Sequence, residues 1–193
     1  MRGCVLAGGA GSRLGGVKAT VELGGRPLIS YPLSALQAAG VDPIVVAKPD
    51  TELPPLDARV LREPAEPRHP LAGIVAALRE LDRPVLACAC DLPFVTPELA
   101  RHVGGSAGSL VVPFAAGRLQ PLFARYEPGL LQGLEDALAD GKTITATVEA
   151  LSPVVLPEAA LARFGDPARL FANVNTPAEL EAASAGDPLG ERP

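Results

Sequence analysis

Tryptophan is absent from this chain, and the 193 residues include only two tyrosines and five phenylalanines. Binding single-stranded nucleic acid on a stacking platform needs a series of aromatic faces, so that class is excluded. Basic runs are also missing, and the net charge is −5. Duplex nucleic acid and anionic membrane surfaces are therefore poor partners. No apolar stretch approaches the ~20 residues that a membrane span requires. Met1-Arg2 runs straight into an apolar segment instead of a signal-peptide pattern, so a cytoplasmic location is expected. Histidine is scarce: His69 sits in a loop, where it orders the chain, and His102 lies near the end of a helix. The three cysteines, Cys4, Cys88 and Cys90, all fall in apolar strand-like runs and read as small buried hydrophobes. Cys88-Ala89-Cys90 has the wrong spacing for a redox pair and lacks a second pair for zinc.

What is present is a globular composition, 48% apolar, with its core drawn from Ala, Val and Leu. The length suits one domain, residues 1–185, followed by a frayed tail over 186–193. The 21 prolines and 20 glycines fall where elements should begin and end. Strand-like runs are expected at residues 3–7, 43–47, 59–61, 84–90, 110–114 and 119–126, with further short ones at 154–156 and 170–174. Helices are expected from Pro27 to Gly40, from Pro70 through Leu81, after Thr96, over 128–140 and over 143–151. The last helix opens at Thr176-Pro177-Ala178-Glu179, a capping box with proline. Strands alternating with helices predict a three-layer α/β fold of Rossmann-like type, with a mostly parallel central sheet and a small antiparallel part. Such sheets bind ligands at the carboxyl ends of their strands.

Two features meet on that rim. The first strand breaks into Gly8, Gly9, Gly11, Gly15 and Gly16, with Arg13 and Lys18 inside or just past them. Bare backbone N–H groups beside two cations suit a polyanion, most naturally a nucleoside triphosphate. The loop is not a Walker motif, because Val17 separates Gly16 from Lys18 and Ala19 stands where a hydroxyl would hold magnesium. It is not a dinucleotide fingerprint either, since Leu14 replaces the third glycine and no ribose-binding acid follows at the proper distance. The second feature is Asp91, which ends a fully apolar run and suits a magnesium ligand or, equally, a helix cap. Together the two features fit nucleotidyl transfer. In-line attack on an α-phosphorus needs charge neutralisation and held phosphates, and no strong base when the attacking group is already an anion.

Here the chain resembles the molybdenum cofactor guanylyltransferases. Leu6-Ala7-Gly8-Gly9 with Arg13-Leu14-Gly15 and Lys18 is similar to their nucleotide-binding signature. Pro70-Leu71-Ala72-Gly73, Cys90-Asp91-Leu92-Pro93-Phe94, the stretch from Gly117 to Ala124, and Asn173-Val174-Asn175-Thr176-Pro177 resemble the later motifs in order. The resemblance implies a magnesium-dependent enzyme that uses GTP to add GMP to the phosphate of molybdopterin, releasing pyrophosphate. It implies that Leu6, Ala7, Gly8 and Gly9 hold the nucleotide, that Lys18 meets its phosphates with Arg13 assisting, and that Asp91 holds Mg²⁺. It places Asn173 and Asn175, with Gln120 beside them, at the pterin acceptor. Transient contact with other cofactor-biosynthesis proteins is implied as well.

Three departures touch this reading. The Gly15-Gly16-Val17-Lys18 end lacks an aspartate of the family and one residue of length. Ala47-Lys48 stands where the family often has an asparagine that helps to read the base. Glu63, or another acid of its loop, replaces an aspartate before the second helix. Use of CTP or another phosphorylated acceptor, and a non-catalytic nucleotide-binding module of the same fold, remain the alternatives.

Overall fold

In the computed structural model, residues 1–8 and 18–184 are described; Gly9, Arg13, the rest of the glycine loop and the tail lie outside them. The central sheet runs in the order β10 (Val154–Leu156), β7 (Leu110–Ala115), β9 (Phe123–Tyr126), β6 (Val85–Ala89), β1 (Arg2–Leu6), β4 (Asp42–Ala47), β5 (Val60–Arg62). Strand β1 lies parallel between β4 and β6, pairing Leu6 with Val46 on one side and with Ala89 on the other. Strand β9 runs antiparallel to both β6 and β7, and the two-residue β8 (Arg118–Leu119) folds back on β7. The sheet is thus mostly parallel with a small antiparallel part, as expected.

Successive side chains of a strand point to opposite faces, and the sequence uses both. Val5, Val45, Leu86 and Cys88 pack on one face against Leu33 and Leu36 of α1 (Ser30–Ala38) and Leu99 and Val103 of α3 (Pro97–Gly105). Cys4, Ile44, Val46, Val85 and Ala87 pack on the other, under Leu71, Ile74 and Leu78 of α2 (Pro70–Leu81) and Leu134 of α4 (Leu131–Ala139). Val148 of α5 (Ile144–Ala150) completes that layer. Strand β6 is buried at every position, which explains its unbroken apolar run. Each fully buried Leu or Val contributes about 1.5–3 kcal/mol relative to exposure.

Several boundaries differ from the sequence expectation. Pro27 does not start the first helix; it pairs in a hairpin, β2 (Glu22–Leu23) with β3 (Arg26–Pro27). Gly24 and Gly25 turn that hairpin with φ of 56° and 74°, a conformation that favours glycine at both positions of a two-residue loop. Pro32 is tolerated because it lies in the first turn of α1, where an N–H has no helical partner to lose. Residues 119–126 form two strands instead of one. Gln120 and Pro121 leave the ladder, and Gln120 N–H bonds Pro113 O at 2.8 Å. Residues 170–174 are not a strand. Asp166 accepts from Ala168 N–H and caps α7 (Pro167–Leu170), after which the chain crosses toward Asp91. The short α6 (Glu158–Leu161) was not expected either. The capping box opens α8 (Pro177–Ser184): Glu179 N–H bonds Thr176 Oγ1, and the Glu179 carboxylate accepts from Thr176 N–H.

Candidate active site

Strands β1 and β6 end side by side, with Cys90 N–H donating to Leu6 O at 3.1 Å. The chain beyond β6 therefore delivers Asp91 next to the loop that leaves β1. Its carboxylate is the centre of a cluster drawn from four distant parts of the sequence. Lys18 Nζ lies 2.8 Å from Asp91 Oδ2 and also donates to Asn175 Oδ1. Asn173 Nδ2 donates to Asp91 Oδ1 at 3.0 Å, and Arg118 donates to Asn173 Oδ1 at 3.4 Å. The backbone reinforces the side chains: Val174 N–H bonds Asp91 O at 3.1 Å. Asn173 and Asn175 thus flank Asp91, and they do so because the segment between α7 and α8 runs across the end of β6.

A cleft of about 360 Å³ opens beside this cluster, lined in part by Leu6, Gly8, Lys18, Glu63, His69 and Asp91. Gly8 is required by close approach, since a Cβ there would sit 2.8 Å from Glu63 Oε1. On the far wall Glu63 is buried with Lys48, their side chains 4% and 2% exposed, at 3.4 Å. Burial pushes the Glu63 carboxyl above its usual range, and the Lys48 charge offsets part of that rise. The N-terminus of α2 forms another wall. His69 Nδ1 accepts from Leu71 N–H at 3.2 Å as the cap, so in the neutral ring the proton sits on Nε2. Burial lowers the pKa of His69, which favours that neutral form. The ordering role expected for His69 is present, and the residue also borders the cleft.

Of the residues singled out in the sequence, the structure brings together Leu6, Gly8, Lys18, Glu63 and Asp91 around one cleft, with Asn173 and Asn175 bonded to its charged centre. Ala7 is buried, and its N–H continues the β1–β4 ladder by bonding Val46 O at 2.8 Å. Gln120 is buried away from the cleft lining and donates to Ala115 O at 3.0 Å, bracing the β7–β8 hairpin that carries Arg118. Gly9 and Arg13 lie outside the described residues. Two site residues were not named as site residues from the sequence, although Arg118 lies in the Gly117–Ala124 motif and Lys48 at a departure from the family pattern. Lys48 directly follows an apolar strand on the carboxyl rim, and Arg118 follows a turn glycine; those positions were the available clues. Cys90, next to Asp91, is no nucleophile, because burial and the neighbouring carboxylate push its thiol up to about 12.

Among the described residues no group of three or more His, Cys, Asp and Glu could hold a metal ion. A single carboxylate on a polar rim does not fit structural zinc. It fits magnesium, which takes one or two carboxylates and completes its shell with waters and substrate phosphates. A larger hollow of about 490 Å³ lies at the opposite ends of the strands. Four charged side chains there or beside it pair with one another, Arg2 with Asp42 and Arg59 with Glu80. Among the described residues no helix is long and apolar enough to cross a membrane.

Comparison with known proteins bears on the family and the fold. Residues 3–154 match the model of the MobA-like NTP transferase domain. A probable molybdenum cofactor guanylyltransferase of Pelotomaculum thermopropionicum is 33% identical, over 92% of this chain and 89% of that protein. The molybdenum cofactor guanylyltransferase of Rhizobium meliloti is 33% identical over 97% and 92%. The crystal structure of molybdopterin-guanine dinucleotide biosynthesis protein A from Archaeoglobus fulgidus superposes with a TM-score of 0.81 at 29% identity, covering 96% of this chain and 97% of that one. The chain therefore belongs to the MobA-like NTP transferase family, with the Lys18–Asp91 cluster at the carboxyl rim of its sheet.

Proposed function

We propose that this protein transfers GMP from GTP to the terminal phosphate of molybdopterin, forming the guanine dinucleotide cofactor. The observation that carries the proposal is the Lys18–Asp91–Asn173 cluster at the mouth of a nucleotide-sized cleft. The names of relatives matched over most of their length, molybdenum cofactor guanylyltransferases, support molybdopterin as the acceptor. In this reading an oxygen of the acceptor phosphate attacks the α-phosphorus of GTP, the α–β bridging P–O bond breaks, and pyrophosphate leaves. The attacking group is already an anion, so no strong base is needed, and His69 at the cleft serves as the cap of α2.

The chain's residues divide the work. Leu6 and Ala7 border the nucleotide from the end of β1, Gly8 and Gly9 bring bare backbone to it, and Glu63 faces its base. Lys18 stabilises negative charge as it passes to pyrophosphate, with Arg13 assisting from the glycine loop. Asp91 would hold Mg²⁺ and is itself oriented by Lys18 and Asn173. When bound, that ion neutralises charge on the phosphate oxygens. Asn173 and Asn175 border the acceptor, and Gln120 supports that side from behind. The cytoplasm is the compartment this reading assigns, and other cofactor-biosynthesis proteins are the expected transient partners.

Incubation with molybdopterin, GTP and Mg²⁺, with the dinucleotide followed by mass spectrometry, tests the proposal. Formation of the guanine dinucleotide supports it. Product with CTP alone, or no product with either nucleotide, overturns it.

A further inference from the structure

Lys48 is only 1% exposed, yet it lies at the wall of the cleft. Burying a lysine is unfavourable unless its ammonium is paired and hydrogen-bonded. Here two of its donors are bonded to backbone carbonyls and its charge is paired with a carboxylate. Nζ donates to Pro64 O and to Pro67 O, both at 2.8 Å, and stands 3.4 Å from Glu63 Oε2. Two of its three protons are committed to the carbonyls of the 63–67 loop and its charge is matched by Glu63, so Lys48 is engaged by that loop.

The pairing follows from the sheet. Strands β4 and β5 are parallel with Ala47 opposite Arg62, and Glu63 N–H bonds Ala47 O at 3.0 Å. Lys48 and Glu63 are the next rung beyond the last paired one, at the carboxyl ends of the strands. The return loop is tied down further, as Arg62 donates to Lys48 O at 2.7 Å and to Thr51 O at 2.9 Å. Glu63 is left with a buried oxygen, Oε2, that no described donor hydrogen-bonds. Two glycines flank the carboxylate: a Cβ at Gly8 would lie 2.8 Å from Oε1, and one at Gly73 would lie 3.7 Å from Oε2. A buried carboxylate with spare acceptor capacity, bordered by bare backbone, is built to receive N–H donors from a ligand.

We propose that Lys48 is a positioning residue for base selection, clamping the 63–67 loop and holding Glu63 where its carboxylate accepts the adjacent N1–H and N2–H donors of guanine. The inference rests on the reading that a guanine nucleotide occupies the cleft. Its physical content is a difference between bases. Guanine offers two neighbouring donors that match the two-oxygen geometry of a carboxylate. Cytosine and adenine each offer one donor beside a ring nitrogen lone pair, which a carboxylate repels. Hypoxanthine keeps N1–H and lacks the 2-amino group, so it isolates one of the two contacts. Lys48 acts through Glu63 and not by touching the base.

The test is equilibrium binding of GTP and ITP, with Mg²⁺ present, to the wild type, Lys48→Met, Glu63→Gln and the double variant. The wild type should prefer GTP by about tenfold or more, as expected for a site that hydrogen-bonds the missing group. Lys48→Met should cut that preference below about threefold. In the Glu63→Gln background the same lysine change should alter it less than about twofold, because the group Lys48 positions is already gone. A preference that survives Lys48→Met, or an equal loss in both backgrounds, overturns the inference. Should Lys48→Met not fold, the comparison of Glu63→Gln with the neutral double variant decides: a further loss of about fivefold would mean that Lys48 acts by another route. A wild type with no preference for GTP over ITP overturns the guanine reading at Glu63 itself, before any lysine variant is made.

Discussion

Asn173 donates its amide N–H to Asp91 Oδ1 at 3.0 Å, joining residues 82 positions apart in the chain. The bond has a defined sense, because Arg118 donates to the other end of the same amide. With its oxygen turned to a guanidinium, Asn173 presents its nitrogen to the carboxylate. Lys18 takes the second carboxylate oxygen. Asp91 is therefore held from both sides before any phosphate or metal approaches.

Replacement of Asp91 by Asn should remove turnover and spare most of the binding. The amide no longer offers a charged oxygen to Mg²⁺ or to Lys18, so kcat should fall by about 10³. Nucleotide affinity should fall by less than about tenfold, because the wall formed by Gly8 and Glu63 is unchanged. Pyrophosphate release and direct binding measure the two. A rate within a few-fold of wild type takes Asp91 out of the mechanism.

Asn173→Ala should separate the substrates. It frees one oxygen of Asp91 and opens the acceptor side, so the acceptor KM should rise by about tenfold while the KM for GTP stays within about threefold. Steady-state kinetics with each substrate varied in turn show which side the asparagine serves. A larger effect on GTP would move Asn173 to the nucleotide side.

Glu63 makes nucleotide binding depend on pH. Burial raises its folded pKa above the 4.5 of an exposed glutamate, and its carboxylate is the form that accepts N–H donors. GTP affinity should therefore fall as the pH drops through that raised value, and Glu63→Gln should lack this acid limb. The stability effect has the opposite direction. The folded state holds this proton more tightly than the unfolded chain, so Glu63's contribution is greatest below 4.5 and is lost as pH rises through the folded pKa. Binding titrations and melting curves across the acidic range read the two effects separately.

His69→Ala removes the acceptor that caps α2 and should cost about 1 kcal/mol, visible as a lower Tm, whereas Asn at the same position should restore most of it. The native state depresses the pKa of His69 below its ordinary 6.5. The unfolded chain then binds the proton more readily, so stability present above pH 6.5 is lost as pH falls toward the folded value. Thermal melts at mildly acidic and neutral pH, compared between wild type and the Asn variant, should show a smaller acid loss in the variant.

The sequence by itself determined the layers and the rim. Fully apolar runs such as 84–90 could only be strands covered on both faces, and Pro70, Thr96 and the Thr176–Glu179 box announced their helices. These signals are local: caps, proline positions and side-chain periodicity act within a few residues. It also placed a glycine-rich turn and Asp91 at strand ends, which is why Lys18 and Asp91 were legible as partners. Tertiary structure decided what those groups touch. Nothing in residues 170–174 shows that the segment crosses the end of β6 instead of forming a strand; packing of Leu170 and Phe171 into the core directs it there. Nothing local distinguishes Gln120, which braces a hairpin, from Asn173, which grips the site. Lys48 was marked only as a departure from the family pattern, and its burial with Glu63 exists only because two parallel strands end on the same rung. Hydrogen bonds between groups tens of residues apart depend on where the whole sheet brings the chain, and no short window of sequence encodes that.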